Sequence, residues 1–463
     1  MPVTALEKTA GNSAVASDGA ASLFAPEWRA LSLGAIGLCS MIAFEAIGVA
    51  AGMPAVAAAL NGVPLYALAF AGTLAGSLIA MVWAGRDCDR HGPMRAMTGG
   101  LLLFSAGLLL AGLATSMTML VTGRLVQGLG VGSLVVALYV AAARKLPDAL
   151  HPRLFALFSA AWVVPAIVGP AISGWVVEHL GWRWLFLGIA LLLLPVALLV
   201  LPPLRGLGAA IRPAQSSDRL LPWALLASGG SIALSTSVYA AHWAPLVVVA
   251  ALTGIGLAAW RLLPRGTLRL QRGLPTVIAM RGFNSSAFFL CEAFVPLWLH
   301  QQRGWTLTYA GLALTGGALS WSIGSHLQAR MEGAGLRQTW LARGCIAMAS
   351  GIGLCAATVL GAVPDWSMLV GWSMTGLGMG LAFPMLAVLT LKLAPVDQQG
   401  RYSSGLQIAS SLGTASTLAL GGLAFSTLQP RSPGTAFVAV FLIAFAIAVT
   451  AAATSHRTLP STA

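Results

Sequence analysis

Apolar residues in this chain neither alternate with polar ones nor keep to one helical face. They run in unbroken blocks joined by short polar segments. A helix needs about 20 predominantly apolar residues to cross the hydrocarbon core of a bilayer, and the blocks have that length. Their spacing predicts fourteen spans, at 31–53, 65–84, 97–115, 119–142, 154–177, 184–202, 221–240, 244–262, 277–299, 307–328, 340–360, 366–391, 403–426 and 435–454.

Composition agrees with this pattern. The 463 residues are 57% hydrophobic and 8% charged, against about 25% charged in soluble domains. Fourteen spans leave no room for a sizeable soluble domain. The first residues lack a positive segment followed by an apolar one, so they read as a tail, with span 1 directing insertion. The five cysteines form no CxxC pair and read as buried thiols.

The net charge of +13 would suggest nucleic acid in a soluble protein. Its distribution assigns it to topology instead. With both termini in the cytoplasm, 20 basic residues fall inside, three (Arg183, Arg303, Arg431) outside, and Arg124, Arg281 and Arg343 within spans. Positive loops stay cytoplasmic, so the expected location is a bacterial inner membrane with both termini cytoplasmic. Arg281 and Arg343 lie near cytoplasmic ends and are expected to snorkel. Trp182, Trp184, Trp243, Trp305 and Trp366 fall near outer ends, where amphipathic rings prefer the interface.

The chain repeats itself weakly. Gly128-Leu-Gly130-Val-Gly132 in span 4 recurs as Gly376-Leu-Gly378-Met-Gly380 in span 12, and Glu45-Ala46 recurs as Glu292-Ala293, at offsets of 248 and 247. The expected order is therefore six spans, two inserted spans and six spans. The divisions are a tail over 1–30, a bundle over 31–202, linkers and inserted spans over 203–276, a bundle over 277–454 and a tail over 455–463. Facing repeats around a central site are a common transporter architecture.

Candidate chemistry is sparse. Glu45 and Glu292 lie deep in spans 1 and 9, where an acid is expensive and marks a functional site. Low dielectric disfavours the charged form of a carboxyl group in general, which makes both candidates for carrying a proton. Arg124 in span 4 lies about a turn and a half from the outer end, which leaves snorkelling open; as a nearby cation it forms, with the two acids, the expected proton-coupling set. The candidate substrate contacts are Glu45, Gln127, Asn284 and Glu292. Gly128 and Gly132, four apart, suit close helix packing. Pro165, Gly169, Pro170 and Gly174 predict a bent span 5 with a bare face. The segment Gly85 to Arg95 joins spans 2 and 3, and its Asp89, Arg90 and Arg95 could form a charge-assisted latch about the Gly92-Pro93 turn. No metal box and no nucleophile constellation is present, so an enzyme is not expected.

Together these pieces resemble the major facilitator superfamily over nearly the whole chain. Gly85, Asp89, Arg90, Gly92 and Arg95 resemble its motif A, with Asp87 where leucine is usual. Arg124, Gln127 and Gly128 resemble motif B, whose arginine is implicated in proton coupling. Gly169, Pro170 and Gly174 resemble the antiporter motif C, with Pro165 and Ser173 departing from it. Glu45 and Pro54 match the acid and proline of span 1 in the fourteen-span drug:proton antiporters, with glutamate replacing aspartate. Span 9 has that group's Phe294-Val-Pro296-Leu-Trp298-Leu pattern.

The resemblance implies an all-α membrane protein of two six-helix bundles with two extra inserted helices. It implies a monomeric proton-coupled exporter of small amphipathic molecules, working by alternating access. The partners expected are a small-molecule substrate, protons and the lipid bilayer, with no nucleic acid. No cofactor is expected beyond the proton gradient as energy source. Alternatives are export or flipping of a native lipid or metabolite, and a non-transporting membrane sensor.

Overall fold

The computed structural model describes residues 23–147, 150–208, 220–330, 334–395 and 398–458. The tail up to residue 22, with Lys8, the linker positions Arg212 and Arg219, and the last five residues lie outside the described residues.

Fourteen long helices account for the fold. The first six are α1 (Arg29–Ala59), α2 (Tyr66–His91), α3 (Pro93–Gly112), α4 (Met117–Lys145), α5 (His151–His179) and α6 (Trp184–Val200). Then come α7 (Leu221–Thr236) and α8 (Ala244–Leu262). The last six are α9 (Leu274–Arg303), α10 (Leu307–Ala329), α11 (Ala334–Val359), α12 (Ser367–Leu393), α13 (Gln399–Leu428) and α14 (Pro433–Thr454). Among the described residues, twelve helices are long and apolar enough to cross a membrane. The two others are α9 and α10. They are long enough, at 30 and 23 residues, but carry more polar groups: Arg281, Asn284, Ser285, Ser286 and Glu292 on α9 alone. A helix packed among other helices can hold such groups.

The surface has the inverse of a soluble polarity. Leu102, Leu191, Leu198, Val249 and Trp260 are all more than half exposed. Such a belt cannot face water stably, and suits contact with acyl chains. Trp184, Trp243 and Trp366 are exposed at the face where α1 ends, as an interfacial ring requires, whereas Trp182 is buried beneath the Arg183 guanidinium.

Helix pairing follows a repeat of eight elements. Within the first six helices α1 packs on α5 and α6, α4 on α2 and α3, and α3 on α6; within the last six α9 packs on α13 and α14, α12 on α10 and α11, and α11 on α14. The glycine repeats explain why α4 and α12 can be central. A Cβ on Gly128 or Gly132 would strike the backbone of Thr73 or Ser77 on α2, and one on Gly130 would strike Phe104 on α3. At the same offset, Gly376 and Gly380 abut Gly317 and Trp321 on α10, and Gly378 abuts Met348 and Gly344 on α11. Outer glycines therefore seat one neighbour and the middle glycine the other, so one helix meets two partners at backbone distance.

The two sets of six meet chiefly through α5 with α10 and α2 with α13. Several bridges lie toward the face where α1 ends. Glu178 of α5 accepts hydrogen bonds from the Thr308 N–H at 3.0 Å and hydroxyl at 2.7 Å, at the start of α10. The Tyr66 hydroxyl donates to the Ala293 carbonyl at 2.6 Å, and Thr315 Oγ1 donates to Ile167 O at 3.2 Å. The α7–α8 hairpin lies outside, with α7 packed on α2 and α13 and the Ser228 hydroxyl donating to Ala75 O at 2.8 Å.

Helix ends depart from the expected loops. The segment 85–95 is almost wholly helical: α2 continues to His91 and α3 starts at Pro93, leaving Gly92 alone as the break. Its φ of +83° and its contact with the Leu207 and Gly208 backbone admit no other side chain without strain. Apolar length reads the bilayer, and a helix can run past it into polar surroundings.

Candidate functional site

The most concentrated polar group inside the fold lies where α1, α2 and α4 meet. Glu45 and Arg124 are 2% and 3% exposed and form an ion pair. Arg124 is held from two further sides: Nε donates to Ala69 O at 3.0 Å and Nη1 to Gln127 Oε1 at 3.1 Å. The helical offset of three residues places Arg124 and Gln127 on one face of α4. The structure thus brings Glu45 and Arg124 of the expected proton-coupling set together with Gln127, one of the candidate substrate contacts. Gln127 Nε2 has no partner among the described residues, so this network has one donor to spare.

Glu292 is placed differently. It is half-buried on α9, and among the described residues no hydrogen bond or ion pair reaches it. The repeat explains the contrast. At the offset that relates the glycine motifs, Trp372 occupies the position of Arg124, and its indole N–H donates to Leu314 O at 3.3 Å. The second half therefore keeps the acid of the first without its cation. Comparing only the two acids in the sequence hides this asymmetry.

Asn284 is fully buried and its amide meets Cys345 Sγ of α11 at 3.6 Å, so it ties α9 to α11 and is not brought to Glu45. The latch segment is also rearranged. Asp87 is buried, with His91 Nδ1 at 3.0 Å and Arg95 Nη2 at 3.8 Å from Oδ1. Asp89, the acid expected to latch, has no hydrogen bond or ion pair among the described residues. Arg144 of α4 closes the same corner, donating to Cys88 O at 3.3 Å and Gly208 O at 2.6 Å. Gly85 has open space around it and Arg90 is exposed.

On α5, Pro165 and Pro170 both lie inside one continuous helix. Gly174 is the point where α5 touches the backbone of α10, since a Cβ there would come within 2.5 Å of Thr308 Cα. Gly311 meets the Pro170 carbonyl in the same way, its Cβ position 2.7 Å from that oxygen. Gly169, by contrast, makes only ordinary contact with Phe44 and Ile47. The bare face of α5 thus serves the approach of the two sets of helices.

Arg281 corrects the expectation of snorkelling. It is 8% exposed, its Nη1 donates to Phe383 O at 2.9 Å, and its guanidinium lies 3.0 Å from the Phe383 ring centroid. Packing between α9 and α12 holds it in. Arg343 is exposed beside Trp340, as snorkelling requires.

Known proteins agree with this architecture. The Major Facilitator Superfamily profile matches residues 33–360 and 282–462. An uncharacterized MFS-type transporter of Mycobacterium tuberculosis is 25% identical over 409 residues, covering 83% of this chain but 57% of its own length. The chain therefore spans little more than half of that relative. A probable multidrug-efflux transporter of the same organism is 26% identical over 436 residues, covering 88% of this chain and 90% of its own. Among solved structures, a D-xylose–proton symporter superposes with a TM-score of 0.67 over 93% of this chain and 98% of its own, at 14% identity, which speaks for the fold alone. With a family profile spanning almost every helix and the same fold in a solved transporter, the chain belongs to the Major Facilitator Superfamily.

Proposed function

We propose that this protein is a secondary active transporter that exports small amphipathic molecules in exchange for protons. The observation that carries the reading is the buried Glu45–Arg124–Gln127 cluster in one half, with Glu292 in the other half unpaired among the described residues. Ionisable groups at that depth are costly and belong to ion or substrate paths. In this reading all fourteen helices span the inner membrane of a bacterial cell, α9 and α10 included, with both termini cytoplasmic. Residues 31–202 and 277–454 form the rocking bundles and α7–α8 an accessory hairpin. The monomer suffices.

The mechanism follows from the two acids. A proton arriving from outside neutralises Glu45 and removes its attraction for Arg124, which stays tethered to Ala69 and Gln127. Glu292, without a cation of its own, takes either a proton or the cationic end of a substrate. Mutual exclusion at such a site is the reciprocal coupling that antiport needs. Glu178 on Thr308 and Gly174 against α10 close one face, and their separation lets the bundles rock. Drug export is favoured by the relative named as a probable multidrug-efflux transporter.

Purified protein in proteoliposomes, given an imposed pH gradient, tests the reading with a panel of lipophilic cations, amphipathic drugs and fluorescent lipids. Gradient-driven movement of at least one amphipathic compound, collapsed by a protonophore, is expected. Movement indifferent to the gradient, or of lipids alone, contradicts it.

A further inference from the structure

Arg281 and Glu292 stand on one helix, with opposite charge and no counter-ion among the described residues. They are eleven residues apart, which brings them to within about 20° on one side of α9 and about 16 Å apart along it. Arg281 is more than nine-tenths buried, no carboxylate pairs with it among the described residues, and its Nε donor is unused. A buried guanidinium is ordinarily retained only when paired. Here Phe383 supplies one carbonyl and one ring face, which attract the cation but supply no counter-anion.

The stretch between the two charges is aromatic. Trp321 of α10 meets Phe383 at 5.5 Å between centroids and Phe288 of α9 at 5.1 Å. Phe288 lies seven residues from Arg281, on the same side of α9. Trp321 and Phe383 are each half-buried. Tyr139 of α4, on the opposite bundle, is half exposed and within electrostatic reach of Arg281, so Arg281 lies on the side of α9 toward that bundle.

We propose that the α9 face from Arg281 to Glu292 binds a dipolar aromatic substrate, an anionic group on Arg281 and a cationic nitrogen on Glu292, with the ring system against the half-buried Trp321 and Phe383, which the buried Phe288 backs. The inference rests on the exporter reading and names its substrate class. An arginine without a carboxylate would be a liability for a purely cationic ligand, because it repels it. For a zwitterion both desolvated charges are answered at once, and the carboxylate can engage the guanidinium through two hydrogen bonds.

Three matched probes test it, all built on a biphenyl. The first carries an aminomethyl group at one para end and a carboxylate at the other, the second is its methyl ester, and the third its N-acetyl derivative. Binding to the purified full chain is measured without any gradient. The zwitterion is expected to bind about tenfold or more tightly than either singly charged probe. Arg281→Gln is expected to erase its advantage over the ester, and Arg281→Lys to restore part of it. Glu292→Gln is expected to erase its advantage over the N-acetyl acid. Equal binding of all three probes by the wild type, or a preference that survives Arg281→Gln, overturns the proposal. The wild-type comparison stands even if a variant fails to fold. Gradient-driven export of other compounds without zwitterion preference sinks this inference alone, whereas loss of gradient-driven export sinks the exporter reading.

Discussion

Glu45→Gln abolishes proton-driven transport, in the expected result, and also lowers the yield of folded protein. The two effects have separate causes. Glutamine keeps the volume of glutamate but removes its charge, so Arg124 remains buried with two neutral acceptors, Ala69 O and Gln127 Oε1. Breaking a buried ion pair from one side costs about 3–5 kcal/mol, a large share of the stability of an ordinary domain. Loss of transport in the single variant alone is therefore ambiguous. The double variant Glu45→Gln/Arg124→Gln resolves it, because it removes both charges and leaves no uncompensated one. It is expected to regain most of the lost thermal stability in detergent and still to show no coupling of substrate movement to the pH gradient in proteoliposomes. Wild-type coupling in the double variant would remove Glu45 from the proton path.

The second large effect concerns the glycines at the centre of each bundle. Alanine in place of a helical glycine ordinarily stabilises a helix by about 0.5–1 kcal/mol. At Gly128 the added methyl would run into the Thr73 backbone of α2, and backbone cannot swing aside as a side chain can. Overpacking of this kind costs about 1–3 kcal/mol, more than propensity returns, so Gly128→Ala is expected to lower the melting temperature. Gly376→Ala, against Gly317, is expected to do the same. Gly99 on α3 has nothing within 4 Å of its Cβ position, so Gly99→Ala is expected to leave stability equal or raised. Scanning fluorimetry of the three variants decides the matter. Equal tolerance at all three positions would mean that the α2–α4 and α10–α12 spacings are not set by these glycines.

Much of the fold is legible in the sequence because the bilayer imposes a simple code. Apolar length locates each helix, and the glycine motifs at offset 248 pair α4 with α12 before any packing is known. Helix ends are not legible in this way: α2 carries its charged residues on to His91, past the apolar segment. Hydropathy also sets α9 apart, whose Arg281, Asn284, Ser285 and Ser286 are buried among the neighbouring helices.

The site is legible in part. Depth alone singles out Glu45, Arg124 and Glu292, but depth does not say which acid meets the cation. That depends on Trp372 standing where the repeat would place a second arginine. Nearness to a helix end places Arg281 at the membrane surface in a sequence reading. Its burial depends on Phe383, a hundred residues away in sequence, and no local pattern carries that information. Within the latch segment the motif points to Asp89, whereas the carboxylate that meets His91 and Arg95 is Asp87. Both acids lie on the last turns of α2, and only its packing decides which one turns inward.

The claim at the centre of this account is that proton and substrate exclude one another at Glu45 and Glu292. Its most direct test is proton release on ligand binding, read with a pH indicator in weakly buffered solution of the detergent-solubilised protein near neutral pH. The wild type is expected to release protons as a transported ligand binds, and Glu45→Gln/Arg124→Gln/Glu292→Gln, which leaves no unpaired buried charge at the cluster, to bind the ligand and release none. Ligand binding by the wild type with no proton release, or equal release by the triple variant, would contradict it.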